Sequence, residues 1–251
     1  MKFRINGNKM KKNIESVLMK GKWNSGTSHK NMSLQSNIVI SVGDESYLFN
    51  GDNYTYVRVK LELDDYDETE KGRVTVDSDT LIKYLTDETI EVSVEDNVLK
   101  LDTIHKSVKI PILERHENND SIIRTGKNYI IQTDMEKEIS ITPNTTLNTR
   151  IKLSSAELVE AMKSCESVGN SIFQLEFDGE MLTVSSSRDT EEVIVSIEPI
   201  EFLGKEATMD VSAPFFKHLD SVTTILSFND DAPLSVISGG FVMLRAPRIQ
   251  R

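Results

Sequence analysis

Short segments in which apolar and polar residues alternate one by one recur along most of this chain. Clear examples are residues 57–63, 90–95 and 173–177. Successive side chains of a β-strand point to opposite faces of its sheet, so this alternation predicts strands with one buried face. Helical spacing is confined to a few short segments, which restricts the chain to a β-rich fold with few helices.

Four helices are predicted where apolar residues follow helical spacing behind a polar start signal. Asp77 is a capping residue for the second helix, and Ser154 with Glu157 forms a capping-box sequence for the third. Pro214 suits the first turn of the fourth. The predicted helices cover residues 9–19, residues 77–84, a segment that begins at Ser154, and residues 212–219.

The two halves of the chain share one order of elements. Asp96-Asn97 and Asp178-Gly179 are hairpin signals between alternating segments. In each half a helix precedes a hairpin and further strands, and a short capped helix precedes another hairpin. A length of 251 residues suits two domains of ordinary size. The sequence therefore predicts two α+β domains, at residues 1–113 and 149–251, joined by a polar, exposed connector with some strand content at residues 114–148.

Composition excludes several classes of protein. The single cysteine, Cys165, rules out an intrachain disulfide framework and predicts a reducing, intracellular compartment. No apolar run is long enough to span a bilayer, and the basic N-terminus has no apolar segment behind it, so neither a membrane protein nor a signal peptide is expected.

Charge is distributed unevenly along the chain. The 29 Lys and Arg against 40 Asp and Glu give a net charge of −11, which at first argues against binding nucleic acid. Residues 1–30, however, carry eight cations and one anion, and residues 62–70 carry six acids. A basic element in an acidic body is compatible with a polyanionic partner that meets only one surface.

Signatures of catalysis and of cofactor binding are absent from the sequence. It contains no G-x-x-x-x-G-K-[ST], no G-x-G-x-x-G after a strand and no G-x-S-x-G. The four histidines are scattered, Cys165 lies on the apolar face of a predicted helix, and the acidic run lacks the glycine and spacing of an EF-hand loop. We therefore predict no catalytic residue, no metal site and no cofactor.

Each predicted helix carries at least one cation outside its apolar face. One such cation alone is an ordinary solvated side chain, whereas four helices on one surface would form a positive stripe able to follow phosphates without reading bases. These cations are Lys11, Lys12, Lys20 and Lys22 on or just after the first helix, Lys83 on the second, Lys163 on the third, and Lys217 with His218 on the fourth.

The C-terminal residues resemble those of a known family. Residues 230–234 (DDAPL), a strand, and residues 240–249 (GFVMLRAPRI) are similar to the ending of archaeal and eukaryotic sliding clamps, the PCNA family, in which an x-x-P-[LM] hairpin and a closing L-A-P-[RK]-[IV] recur. Residues 1–3 and 72–76 also resemble bacterial β clamps. The family's M-D-P-S loop is replaced by residues 49–54 (FNGDNY).

This resemblance implies a fold and a function. The fold would be two similar clamp domains, each with helices on one face of antiparallel sheets, joined by an interdomain connector. Such a chain would be a processivity factor that encircles double-stranded DNA without sequence specificity and tethers DNA polymerase and other replication or repair proteins, placed on DNA by a clamp loader. The helix cations named above would face the duplex.

The resemblance also implies a pocket for the apolar-aromatic (PIP-box-like) peptides of partner proteins. Ordinary hydrophobic packing is an equally good explanation for Leu234. The residues that match the pocket are Phe49 and Tyr54 from the loop region, Ile122 and Ile123 from the connector, and Pro233, Leu234, Ala246, Pro247 and Ile249 from the C-terminal side.

Ring closure would require edge strands to pair between subunits, and two domains per chain would give a trimer. The predicted edges are residues 107–113, with Ser107, Lys109 and Pro111, and residues 180–187, with Met181, Thr183 and Ser185. A clamp-fold adaptor or checkpoint-type scaffold without a closed ring is the alternative. The expected location is the cytoplasm or nucleoid of an archaeon or of a host cell, and the nucleus only in a eukaryote.

Overall fold

The chain divides into two compact units in the computed structural model. The structure describes residues 1–18, 36–51, 55–67, 69–113, 139–142, 145–169, 172–212, 219 and 221–247. Of these, the residues up to Leu113 belong to unit 1 and those from Ile139 onward belong to unit 2. In its described part unit 1 contains two helices and unit 2 one, and the strands of both units are antiparallel, which confirms the predicted α+β class.

Unit 1 has nine strands and two helices in its described part. Strands β5, β1, β7, β8 and β9 are hydrogen-bonded in that order, and β4, β3, β2 and β6 follow one another in a second array. The elements are β1 Lys2–Asn6, α1 Gly7–Val17, β2 Asn37–Val42, β3 Tyr47–Gly51, β4 Thr55–Lys60, β5 Asp65–Tyr66, β6 Gly72–Asp77, α2 Ser78–Tyr84, β7 Thr89–Glu95, β8 Val98–Asp102 and β9 Ser107–Pro111.

Unit 2 begins with a small hairpin that falls inside the predicted connector. Beyond it, β16, β12, β18, β19 and β20 are paired in that order, as are β15, β14, β13 and β17. The elements are β10 Ile139–Thr142, β11 Thr145–Leu147, β12 Thr149–Ser154, α3 Ser155–Glu166, β13 Ile172–Phe177, β14 Leu182–Arg188, β15 Glu191–Ile197, β16 Glu201–Leu203, β17 Ala207–Ser212, β18 Thr223–Phe228, β19 Leu234–Ser238 and β20 Phe241–Arg245.

Apart from the hairpin β10–β11, the described strands of the two units repeat one topology. In chain order β1–β6 correspond to β12–β17 and β7–β9 correspond to β18–β20, and the sheet orders match under this correspondence. Helix α1 corresponds to α3. The helix α1 packs on β1, β3 and β4, and α3 packs on their counterparts β12, β14 and β15. The architectural repeat inferred from the order of elements is confirmed.

Local start signals explain where the helices begin. The Asp77 carboxylate accepts the Thr80 amide at 2.8 Å and caps α2, and the Ser154 hydroxyl accepts the Glu157 amide at 3.4 Å and caps α3. The first helix starts two residues earlier than predicted, because Asn6 caps it. The predicted fourth helix lies almost entirely outside the described residues.

The predicted hairpins are present with the backbone that their turn residues favour. Asp96 and Asn97 both have positive φ, 46° and 65°, as a two-residue turn between β7 and β8 requires. Gly179, with φ of 95°, serves the turn between β13 and β14.

No helix in the described part of the chain is long and apolar enough to cross a membrane.

Candidate nucleic-acid and subunit-contact surfaces

Helix α1 presents lysines on the face opposite its packed side. Gly7, Met10, Ile14 and Val17 are buried, which leaves the remaining positions toward solvent. Three lysines at these positions are exposed: Lys9, Lys11 and Lys12. Lys9 is 3.4 Å from the Glu62 carboxylate, whereas Lys11 and Lys12 form no ion pair within the described residues. Their charge is therefore available to a partner.

Helix α2 places Lys83 beside a second cation. The exposed Lys83 ammonium lies 5.3 Å from the centre of the Tyr84 ring, and the Lys106 ammonium lies 4.8 Å from the same ring. Attraction between an ammonium and an aromatic face orders both side chains. Sequence analysis missed Lys106, which belongs to the turn before β9 and carries no helical signal.

Helix α3 differs from α1 in its exposed charge. Lys163 is exposed as predicted, but Glu157 and Glu160 are exposed on the same helix and Glu166 is half-buried. Glu157, Glu160 and Glu198 together line a shallow groove between α3 and the end of β15. Sequence analysis listed the lysine and overlooked the carboxylates, although the spacing from Ser154 places them on the solvent side. Lys20, Lys22, Lys217 and His218 lie outside the described residues.

The predicted pocket residues are partly core. Leu234 is fully buried in β19, so of the two explanations packing is favoured. Phe49 is 8% exposed, and its ring centre lies 5.8 Å from that of Tyr47 and 6.1 Å from that of Tyr56. Three residues remain half-buried and partly accessible: Pro233, Ala246 and Pro247. Tyr54, Ile122, Ile123 and Ile249 lie outside the described residues.

The two predicted edge strands have different outcomes. Among the described strands β9 pairs with β8 alone and is an edge strand, and its Ser107, Lys109 and Pro111 are exposed. Strand β14 is an interior strand, paired with β13 on one side and β15 on the other. The prediction for Met181, Thr183 and Ser185 is therefore wrong, because the backbone groups of β14 are already used within its own sheet. The edges of that sheet are β15 and β17.

Strand β15 has the exposure expected of an unpartnered edge. Ile194 is 59% exposed, and Glu191 and Glu192 are also exposed. In its unit 1 counterpart, β4, only Lys60 is exposed. The signal that could have identified β15 is Glu191-Glu192 followed by an outward isoleucine, because charged residues are typical of edge strands and an exposed large apolar side chain is typical of a contact surface.

No cluster of three or more His, Cys, Asp or Glu that could hold a metal ion occurs among the described residues. Cys165 is fully buried against β14, and burial raises the pKa of its thiol to about 11. The thiolate is the nucleophilic form of cysteine, so this thiol is unreactive at neutral pH. It packs as a small apolar residue, as its position on the helix predicted.

Structural comparison finds DNA sliding clamps over the full chain. The DNA polymerase sliding clamp of Bacillus subtilis superimposes with a TM-score of 0.76 at 15% identity, covering 100% of this chain and 65% of that one. The PCNA of A. fulgidus, solved with the C-terminal region of FEN-1, gives 0.70 at 17% identity, covering 100% and 99%. A PCNA2–PCNA3 complex from Sulfolobus tokodaii gives 0.68 at 14%, covering 99% of each chain.

These similarities establish the sliding-clamp fold, which the C-terminal residues had indicated. The chain spans just under two thirds of the bacterial clamps it matches and nearly all of the archaeal ones. By sequence, no family model matches the chain and no curated protein is significantly similar to it.

Proposed function

We propose that this chain is a subunit of a DNA sliding clamp, a non-catalytic ring that encircles duplex DNA and tethers a DNA polymerase and other replication proteins. The full-length similarity to both bacterial and archaeal clamps carries this proposal. It is supported by α1, whose exposed Lys11 and Lys12 form no ion pair within the described residues of a chain with a net charge of −11. Cations confined to one surface suit a partner that passes that surface and is not gripped elsewhere.

Subunits would join through the edge strands β9 and β15. Lys109 on β9 and Lys106 before it are exposed, and β15 offers Glu191, Glu192 and the apolar Ile194. A continued sheet would pair the free backbone groups of both edges, and the opposite charges would favour this pairing over the pairing of like edges. Because the two edges differ, the contact is head-to-tail, which is the type of contact that a closed ring of identical chains uses.

Partner proteins would bind on unit 2 where Pro233, Ala246 and Pro247 remain partly accessible. The A. fulgidus PCNA was solved with a C-terminal region of FEN-1, so a short peptide is the expected form of ligand. A titration with such a peptide should perturb Pro247. If residues remote from this set respond instead, the peptide pocket is placed wrongly.

Mass in solution tests the assembly. A ring of three chains has a mass of about 85 kDa, three times the 28.3 kDa of one chain. Ile194→Asp should lower the mass to that of the single chain, because it places a carboxylate in the proposed seam. Ile200→Asp is the matched control, since Ile200 is also 59% exposed in unit 2 but lies outside β15. A wild-type mass of 28.3 kDa would favour the adaptor without a ring.

Topological retention tests the function itself. The protein is threaded onto a duplex fixed to a bead at one end, and the free end is then capped with biotin and streptavidin. A closed ring should survive a wash at about 1 M salt, where electrostatic attraction is screened within about 3 Å. Cutting the duplex should release it. Loss of the wild-type protein in the wash would contradict the proposal, and Ile194→Asp provides the open-ring comparison.

A further inference from the structure

The two corresponding helices can be aligned from their caps without a gap. Asn6 caps α1 and Ser154 caps α3, so each residue of α1 matches the one 148 positions later. All four buried positions of α1 are also buried in α3 under this alignment, and α3 buries Ala161 in addition, at the position of the half-buried Asn13. Gly7, Met10, Ile14 and Val17 are buried in α1, and their counterparts Ser155, Leu158, Met162 and Cys165 are buried in α3.

The exposed charges are reversed under the same alignment. Lys9 matches Glu157, Lys12 matches Glu160, and Glu15 matches Lys163. Helix α1 contains three lysines and one glutamate, a net charge of +2, and α3 contains one lysine and three glutamates, a net charge of −2. The packing of the two helices is therefore equivalent, but their outward electrostatic potentials are opposite in sign.

The neighbouring strand ends enhance this contrast. Leu61 is buried just after β4, and Ile197 is buried at the end of β15. Each of them is followed by a glutamate. In unit 1 that residue, Glu62, lies 3.4 Å from the Lys9 ammonium. In unit 2 it is Glu198, which lines one groove with Glu157 and Glu160. An ion pair in unit 1 is thus replaced by like charges in unit 2.

We infer that the chain contacts DNA unevenly, with Lys11 and Lys12 of α1 contacting backbone phosphates and the exposed face of α3 making no phosphate contact. This inference rests on the proposed function. Phosphates are attracted by an unpaired lysine and repelled by a groove lined with carboxylates. Helix α3 carries three glutamates against the single Lys163, so the duplex is bound by unit 1 and does not contact α3.

Matched single-lysine variants test the unevenness. Binding of each protein to a linear duplex is measured between 50 and 200 mM salt, a range over which one phosphate contact accounts for a loss of about three- to fourfold in affinity. Lys12→Gln should reduce this salt-induced loss of affinity by about one three- to fourfold factor. The double variant Lys11→Gln with Lys12→Gln should reduce it by about tenfold in total. Lys163→Gln should leave the salt dependence unchanged. Glu157→Gln with Glu160→Gln should raise affinity.

Either of two results would overturn the inference. In the first, Lys163→Gln weakens the salt dependence of binding as much as Lys12→Gln does. In the second, Lys12→Gln leaves the salt dependence unchanged. All of these side chains are exposed and form no ion pair within the described residues, so the variants should fold, and circular dichroism and solution mass check this. Retention of the wild type on the capped duplex separates the two hypotheses. A retained wild type with equal Lys12→Gln and Lys163→Gln effects refutes only the uneven contact, and an unretained wild type refutes the clamp itself.

Discussion

Apart from the hairpin β10–β11, the described strands of units 1 and 2 share a topology, and what distinguishes the units is how each position is used. The buried faces of α1 and α3 are apolar or small at the same four positions, whereas the exposed charges are opposite. Packing constrains buried positions through volume and shape, and it places almost no constraint on an exposed charge. The repeat therefore preserves a scaffold and leaves each unit free to meet a different partner.

At the first buried position of α1 and α3, substitution should affect the free energy of unfolding more differently in the two units than at any other position. A Cβ atom at Gly7 would lie 2.0 Å from the Thr86 carbonyl oxygen, so the backbone would have to move. Its counterpart, Ser155, carries a side chain whose hydroxyl is 2.7 Å from that of Thr224. Gly7→Ala should cost about 3 kcal/mol or more in the free energy of unfolding, measured by urea denaturation.

Ser155→Ala is the matched control at that position. It should cost about 1–2 kcal/mol, because Thr224 loses a buried hydrogen-bond partner and no atom is displaced. Similar costs for the two variants would mean that the Thr86 segment yields easily. In that case Gly7 would not be an obligatory difference between the units.

Local signals in the sequence predicted most elements of both units. The caps Asp77 and Ser154 and the turns at Asp96-Asn97 and Asp178-Gly179 act within a few residues, so they can be recognised without knowing the fold. The interior position of β14 could not be recognised in this way. Its side chains alternate as in any half-buried strand, and only pairing with β15 and β13 makes it interior.

The candidate DNA surface was predictable in part. Lys11, Lys12 and Lys163 were correctly placed on the solvent side of their helices by spacing alone. The opposite sign of the two helices was missed, because each lysine was counted by itself and the carboxylates around Lys163 were not weighed against it. The correspondence of α1 with α3 makes the reversal visible, and that correspondence depends on strand order.

The next largest difference between the units is expected in how alkaline pH affects stability. Tyr56 on β4 is 5% exposed, and burial raises the pKa of its phenol to about 12, whereas β15, the counterpart of β4, contains no tyrosine. In the unfolded chain the phenol has its ordinary pKa of 10.0 and loses its proton before the folded chain does, so this contribution to stability is complete below pH 10 and is lost as pH rises toward 12. At pH 11 the loss should be about 1.4 kcal/mol.

The comparison with Tyr56→Phe isolates this contribution. Urea denaturation of both proteins at pH 8 and pH 11 should show a smaller loss in the free energy of unfolding for the variant. Lysine titration affects both proteins equally and cancels in this comparison. Equal losses would show that the Tyr56 phenol ionises as easily in the folded chain as in the unfolded one. The alkaline sensitivity would then not be a property of unit 1.

The smallest expected difference lies in the helix caps. Asn6 accepts the amides of Asn8 and Lys9 at 3.0 and 3.2 Å and donates its side-chain amide to the Asp87 carbonyl, whereas Ser154 accepts one amide at 3.4 Å. Asn6→Ala should therefore cost about 1.5 kcal/mol and Ser154→Ala about 0.5 kcal/mol in urea denaturation.

Ser16→Ala and Ser164→Ala are the calibration for this last comparison, because the two serines occupy corresponding positions and each donates to the carbonyl four residues earlier at 2.9 Å. Their costs should be small and equal, since an exposed hydroxyl bonded to its own helix contributes little. Unequal serine costs would indicate that the units differ in overall stability. Equal serine costs with equal cap costs would show that the extra bonds of Asn6 are replaced by water without loss.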